Sequence, residues 1–177
     1  DLKEKFKEIK IKFTVIDVNS PSSDIDKILS KISNEGFEVG HTQVENKKNS
    51  EDNMASTMAS IKDSFYEAKN CADLVYFVED DYIHKKESLA EMLFAYEKFS
   101  SIFQDEIFIL STDYPYLYKK MSNSRILIGE KTHWRTVSET LLTFMTSKKM
   151  VEKYFDRLID MAINRSDPFE KNLHDIY

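Results

Sequence analysis

Asp73-Leu74-Val75-Tyr76-Phe77-Val78-Glu79-Asp80-Asp81-Tyr82-Ile83-His84 is the stretch whose reading decides the fold. An unbroken apolar run of strand-forming residues leads straight into three consecutive carboxylates, so the pattern predicts a buried strand that delivers acids to the edge of a sheet. Three adjacent carboxylates repel one another, and bound cations or full solvation relieve that repulsion. The residues alone therefore leave two readings open, a metal site and an acidic turn.

Around this stretch the chain alternates strand and helix patterns. Ile11 to Asp17 is a β-branched run ending in Asp17-Val18-Asn19-Ser20-Pro21, a strand followed by a turn. Ser23 is placed to cap a helix with Ile25, Ile28, Leu29 and Ile32 on one face, and Gly36 to end it. A short strand over residues 37–44 precedes a polar loop over 45–53, and Met54, Met58, Ile61, Phe65 and Ala68 recur at helical spacing. Beyond the carboxylates, Leu89, Met92, Leu93, Tyr96, Phe99 and Phe103 predict another helix, and residues 106–112 a buried strand ending at Asp113. Residues 125–129 and 141–146 read as strands separated by a polar loop, and Met150 to Ala162 as an amphipathic helix. The segment from Asn164 to Asp175 is polar and turn-prone. Leu2, Phe6 and Ile9 suggest the tail of a helix before the first strand. Alternation of this kind implies an α/β fold with a mixed, mostly parallel sheet and helices on both faces, binding its ligand beyond the carboxyl ends of the strands.

Composition narrows the chemistry. The 177 residues fit one domain, and 41% hydrophobic residues with 12% aromatics argue for a folded core. A net charge of −6 disfavours nucleic acid and anionic membrane surfaces as partners, so an anionic substrate needs a local cation. One cysteine, Cys71, excludes an internal disulfide framework and a cysteine-based zinc cluster. No apolar run reaches the length of a membrane span, and the N-terminus lacks signal-peptide form, so the expectation is a soluble, cytoplasmic protein. Gly-rich phosphate loops, Gly-x-Ser-x-Gly elbows, His-Glu-x-x-His pairs and twelve-residue calcium loops do not occur.

Val75-Tyr-Phe-Val-Glu79-Asp80-Asp81-Tyr82 resembles the acidic motif of nucleotide-sugar glycosyltransferases with the GT-A fold, in its Glu-Asp-Asp form. Phe13-Thr-Val-Ile-Asp17-Val-Asn19-Ser20 is similar to the strand and Asp-x-x-Ser turn that precede this motif by about sixty residues. The resemblance implies a single Rossmann-like GT-A domain over residues 1–177, lacking its first strand and with its C-terminal end open to extension. It implies transfer of a hexosyl or related sugar from a nucleoside-diphosphate sugar to a carbohydrate or other hydroxyl acceptor, with Mn2+ or Mg2+ as cofactor. Asp81 would hold the metal, Glu79 and Asp80 would contact ribose or a metal-bound water, and Asp17 and Ser20 would contact the nucleotide. The general base would be Asp167 or Glu170, with Glu139 in reserve. His133, Trp134 and Arg135 would meet the acceptor or phosphate, with Trp134 equally placed to pin its loop to the core. Two further readings share the pattern: a noncatalytic binding domain of the same fold, and a magnesium-binding receiver domain of two-component signalling.

Overall fold

The computed structural model describes residues 8–44, 53–119, 123–140, 142–164, 166 and 169–176. They form a mixed α/β structure that divides into two compact units: the described residues of Asp1–Asn70 with Ala162–Asn164, and those of Cys71–Met161 and Arg165–Tyr177.

The first unit is a β-α-β arrangement. Strand β1 (Lys12–Asp17) pairs in parallel with β2 (Glu38–Gln43), in a register that sets Lys12 opposite Glu38 and Asp17 opposite Gln43. Helix α1 (Ser22–Asn34) makes the crossover and packs on β2. Pro21 stands at its N-cap and offers its carbonyl to Asp24 and Ile25, so Ser23 lies inside the helix rather than capping it. Gly36 ends α1 at φ 77°, and Phe37 N–H reaches back to the Ile32 carbonyl at 3.4 Å, a closure that needs a left-handed residue at this position. Helix α2 (Asn53–Ala68) buries Phe65 and Ala68 and packs on β1. The loop read over 45–53 and the helix tail before Ile9 fall largely outside the described residues.

In the second unit the ladder centres on β6 (Met145–Ser147), which is buried throughout. β3 (Leu74–Tyr76) pairs antiparallel with it, and Met145 bridges Ile109, also antiparallel. Among the described residues only β1 and β2 pair in parallel, and the other two ladders are antiparallel. The run 106–112 therefore contributes one bridge instead of a strand. Helix α3 (Ser88–Phe103) covers the ladder with Met92, Ala95, Tyr96 and Phe99, which share a core with Ile109 and Met145. It stops at Gln104, whose φ of 54° is left-handed. Helices α4 (Lys148–Lys153) and α5 (Phe155–Ile163) replace the single helix read after Met150.

The segment read as a polar loop around Trp134 is instead a strand. β4 (Ile126–Ile128) and β5 (His133–Arg135) form an antiparallel hairpin. What holds it is Glu91 of α3, only 7% exposed. Its Oε1 accepts from Glu130 N–H (3.0 Å), Thr132 Oγ1 (3.2 Å) and Trp134 Nε1 (3.2 Å), and its Oε2 from Lys131 N–H (3.0 Å). Burial pushes the Glu91 carboxyl up, but the donors from Trp134 and the 130–132 backbone outweigh it and leave it below its ordinary value. Gly129 is required beside it, because a Cβ there would lie 2.1 Å from Glu91 Oε1 and 2.6 Å from Trp134 Nε1. Gly129→Ala is expected to cost ~2 kcal/mol through this overpacking. Urea unfolding followed by the fluorescence of Trp134, the one tryptophan in the chain, reads the loss as a lower midpoint.

Candidate functional site

Strand polarity gathers the acids of the second unit. β3 and the segment through Ile109 both run antiparallel to β6, so they run parallel to each other and their carboxyl ends leave the same end of the ladder. Phe77 N–H extends the pairing to the Phe144 carbonyl at 2.9 Å. Beyond that point come Glu79-Asp80-Asp81 from one segment, Asp113-Tyr114 from the next, and the turn before Phe144 from the third. A hydrogen bond between the Tyr82 and Tyr114 hydroxyls joins the first two.

Asp80 and Asp81 form an exposed turn, while Glu79 is half-buried. Burial pushes the Glu79 carboxyl up, and Asp81, Asp80 and Glu170 push it further in the same direction. The Tyr114 phenol is also raised, first by burial and then by Tyr82. His84 is exposed and shares a 2.7 Å hydrogen bond with the Tyr76 hydroxyl, which is 3.3 Å from Ser111 Oγ.

The turn before Phe144 is held by Glu170, which is 2% exposed. Glu170 Oε1 accepts from Thr140 Oγ1 (2.7 Å) and Leu142 N–H (2.8 Å), and Oε2 accepts from Thr140 N–H (2.8 Å). Leu142 sits at φ 63°, a conformation a branched side chain rarely adopts. Glu170 is thus enclosed and engaged with this turn, where it positions backbone; a general base needs access to its proton donor. Glu139, at the start of the turn, accepts from the Tyr116 hydroxyl at 2.6 Å, and that phenol is pushed up to about 12 by burial and by the carboxylate. Asp167 lies outside the described residues.

On β5 the three residues read as acceptor contacts diverge. Trp134 turns inward to Glu91 and meets Phe99 edge-on at 6.3 Å, so it pins the hairpin to the core. His133 is exposed. Arg135 donates from Nε (3.0 Å) and Nη2 (2.7 Å) to Asp113 Oδ1, and its guanidinium lies 4.3 Å from the centroid of the Tyr118 ring. These bonds hold the Asp113 carboxyl below its usual range. A cavity of about 820 Å³ is bordered by Tyr82, His84, Asp113, His133 and Arg135 among others.

In the first unit, Asp17 ends β1 with a buried carboxylate. Its Oδ1 accepts from Ser20 N–H at 3.0 Å, and Asn19 between them takes φ 141°. Ser20 itself is exposed. This is the expected Asp-x-x-Ser turn, closed by the aspartate on its own backbone.

Glu91, Leu142 and the tyrosines at 114, 116 and 118 were not singled out by pattern reading. Glu91 carried a signal: it lies four and eight residues before Ala95 and Phe99, on the apolar face of α3. The tyrosines alternate visibly, but nothing local marks them as anchored. Among the described residues no group of three or more His, Cys, Asp or Glu side chains is arranged to hold a metal, and no helix is long and apolar enough to cross a membrane. No family model, curated protein or solved structure matches the chain.

The sign of the Glu79 shift gives a pH test. At pH below its ordinary value of 4.5 the carboxyl is neutral in folded and unfolded chains alike. As pH rises, the unfolded chain ionises first, so stability from this group is lost through the raised folded value. Glu79→Gln is therefore expected to gain Tm relative to the parent as pH climbs above that window, with the two proteins compared across a pH series without divalent cations.

Proposed function

We propose that the chain is a nucleotide-sugar glycosyltransferase of the GT-A type, with its donor site at Glu79-Asp80-Asp81. The observation that carries this reading is an exposed carboxylate turn beyond the carboxyl end of a half-buried strand, backed by a half-buried glutamate whose ionisation its own neighbours oppose. Acids so arranged gain from a divalent cation.

The donor set fits such an ion. Magnesium and manganese favour oxygen ligands, and magnesium in phosphate-transfer sites is held by one or two carboxylates together with substrate phosphates, without an all-protein cage. Asp80 and Asp81 are exposed and offer oxygen donors of that kind, although among the described residues no group of three or more His, Cys, Asp or Glu side chains is arranged to hold a metal. Asp81 would hold the ion, with Asp80 and Glu79 turned to ribose or to a bound water. When bound, the ion would offset the charge that develops on the departing nucleoside diphosphate.

The protein's own groups supply the rest. Deprotonation of the acceptor hydroxyl falls to Asp167, or to Glu139, whose carboxylate is oriented by Tyr116. Glu170 keeps the turn carrying Thr140 and Leu142 in place. Arg135 and His133 border the cavity in which the acceptor would sit.

A thermal-shift titration tests the donor site. A nucleoside diphosphate is expected to raise Tm only when Mn2+ or Mg2+ is present, and Asp81→Ala should abolish that response with the fold intact; unchanged nucleotide affinity in the variant removes the assignment. For Asp167→Asn, donor binding should persist while transfer to a hydroxyl acceptor is lost. Full turnover in that variant moves the base to Glu139.

A further inference from the structure

Tyr114, Tyr116 and Tyr118 stand at alternate positions where the chain leaves the ladder and enters a 3-10 helix, Pro115–Lys119. Each hydroxyl is tied to a different group: Tyr114 to Tyr82, Tyr116 to Glu139, and Tyr118 to Asp113. A phenol hydrogen-bonded at its far end has its ring angle biased before any ligand arrives. Yet Tyr116 remains 38% exposed and Tyr118 64% exposed. Tyr114 and Tyr116 lie 5.9 Å apart at 34°, and Arg135 lies over the Tyr118 ring. The polar groups beside the rings are chiefly Asp113, Glu139 and Arg135.

We propose that this strip binds a neutral oligosaccharide, seating sugar rings on Tyr116 and Tyr118 and taking their hydroxyls at Asp113, Glu139 and Arg135. Rigid, exposed aromatic faces suit the C–H faces of a pyranose ring and lose little entropy on binding. Carboxylates accept hydrogen bonds only, so they call for a ligand rich in donors and repel one carrying phosphate or carboxylate. A proline-rich peptide also stacks on aromatic strips, but it brings few N–H groups to meet these acids. Assigning the strip to the acceptor rests on the transferase reading; saccharide binding itself needs neither donor nor metal.

The test uses the full chain without nucleotide or cation, titrated with maltotetraose, cellotetraose and chitotetraose by saturation-transfer NMR and calorimetry. At least one is expected to bind, and Tyr116→Ala and Tyr118→Ala should each weaken it about tenfold. Tyr118→Phe keeps the ring but releases it from Asp113, so it should weaken binding measurably and by less than Tyr118→Ala; it serves where the alanine variant fails to fold. Asp81→Ala should bind the saccharide like the parent, which separates this site from the donor site: saccharide binding that survives while no nucleotide responds to metal supports the strip and removes the transferase assignment. Failure of all three saccharides to bind overturns the proposal. So does affinity indifferent to the tyrosine changes, or capture of a hexaproline peptide in place of the sugars.

Discussion

The second unit depends on one buried carboxylate. Glu91 enters the core on the apolar face of α3, where an unpaired charge would cost several kcal/mol, roughly the whole stability margin of a small domain. Four donors from the hairpin offset that cost, and they come from residues that could not otherwise be brought together: two backbone amides, a threonine hydroxyl and the indole of Trp134. The hairpin has only three paired residues on each side, too few to stand alone in water. Glu91 thus supplies what strand pairing cannot, and Gly129 gives it room. Arg135 follows Trp134 directly, so fixing the indole also aims the guanidinium at Asp113 and Tyr118.

Glu170 repeats the device at the other turn. A left-handed leucine costs roughly 1–2 kcal/mol over an ordinary conformation, and Leu142 keeps it because its N–H and both donors of Thr140 converge on one enclosed carboxylate. The antiparallel pairing of β3 with β6 brings this turn out at the same end as Glu79. The charge of Glu170 then adds to those of Asp80 and Asp81 in opposing the ionisation of Glu79. The turn that Glu170 stabilises and the acid it destabilises are two effects of one placement.

How far the sequence was readable follows from the range of each interaction. Helices α1 to α3 and the β1 turn are written in local periodicity and local hydrogen bonds, and Asp17 closing on Ser20 needs only three residues to specify it. Strand pairing is different. Nothing near residues 106–112 shows that their partner is Met145 or that the contact is a single bridge, because that is settled by β6 thirty-six residues away. The loop reading of 133–135 failed for the same reason: polar flanks argue for a loop, and only Glu91, forty-odd positions upstream, makes the segment a strand. The strand-end rule puts Asp17, the acids at 79–81 and Asp113 at one edge; the ladder polarity of the second unit brings the acids at 79–81 and Asp113 to one end, whereas Asp17 belongs to the first unit.

Charge, in the end, separates the two kinds of acid in this unit. Glu91 and Glu170 are buried and met by converging donors, and Asp113 is met by Arg135 and Tyr118. Glu79 is half-buried, and Asp81, Asp80 and Glu170 act on it with charges of its own sign. A fold that satisfies its deeply buried carboxylates so fully, yet assembles four like charges at one strand end, holds electrostatic repulsion at that place. The cation proposed above, shared with an anionic substrate, would release it at the exposed carboxylates of Asp80 and Asp81.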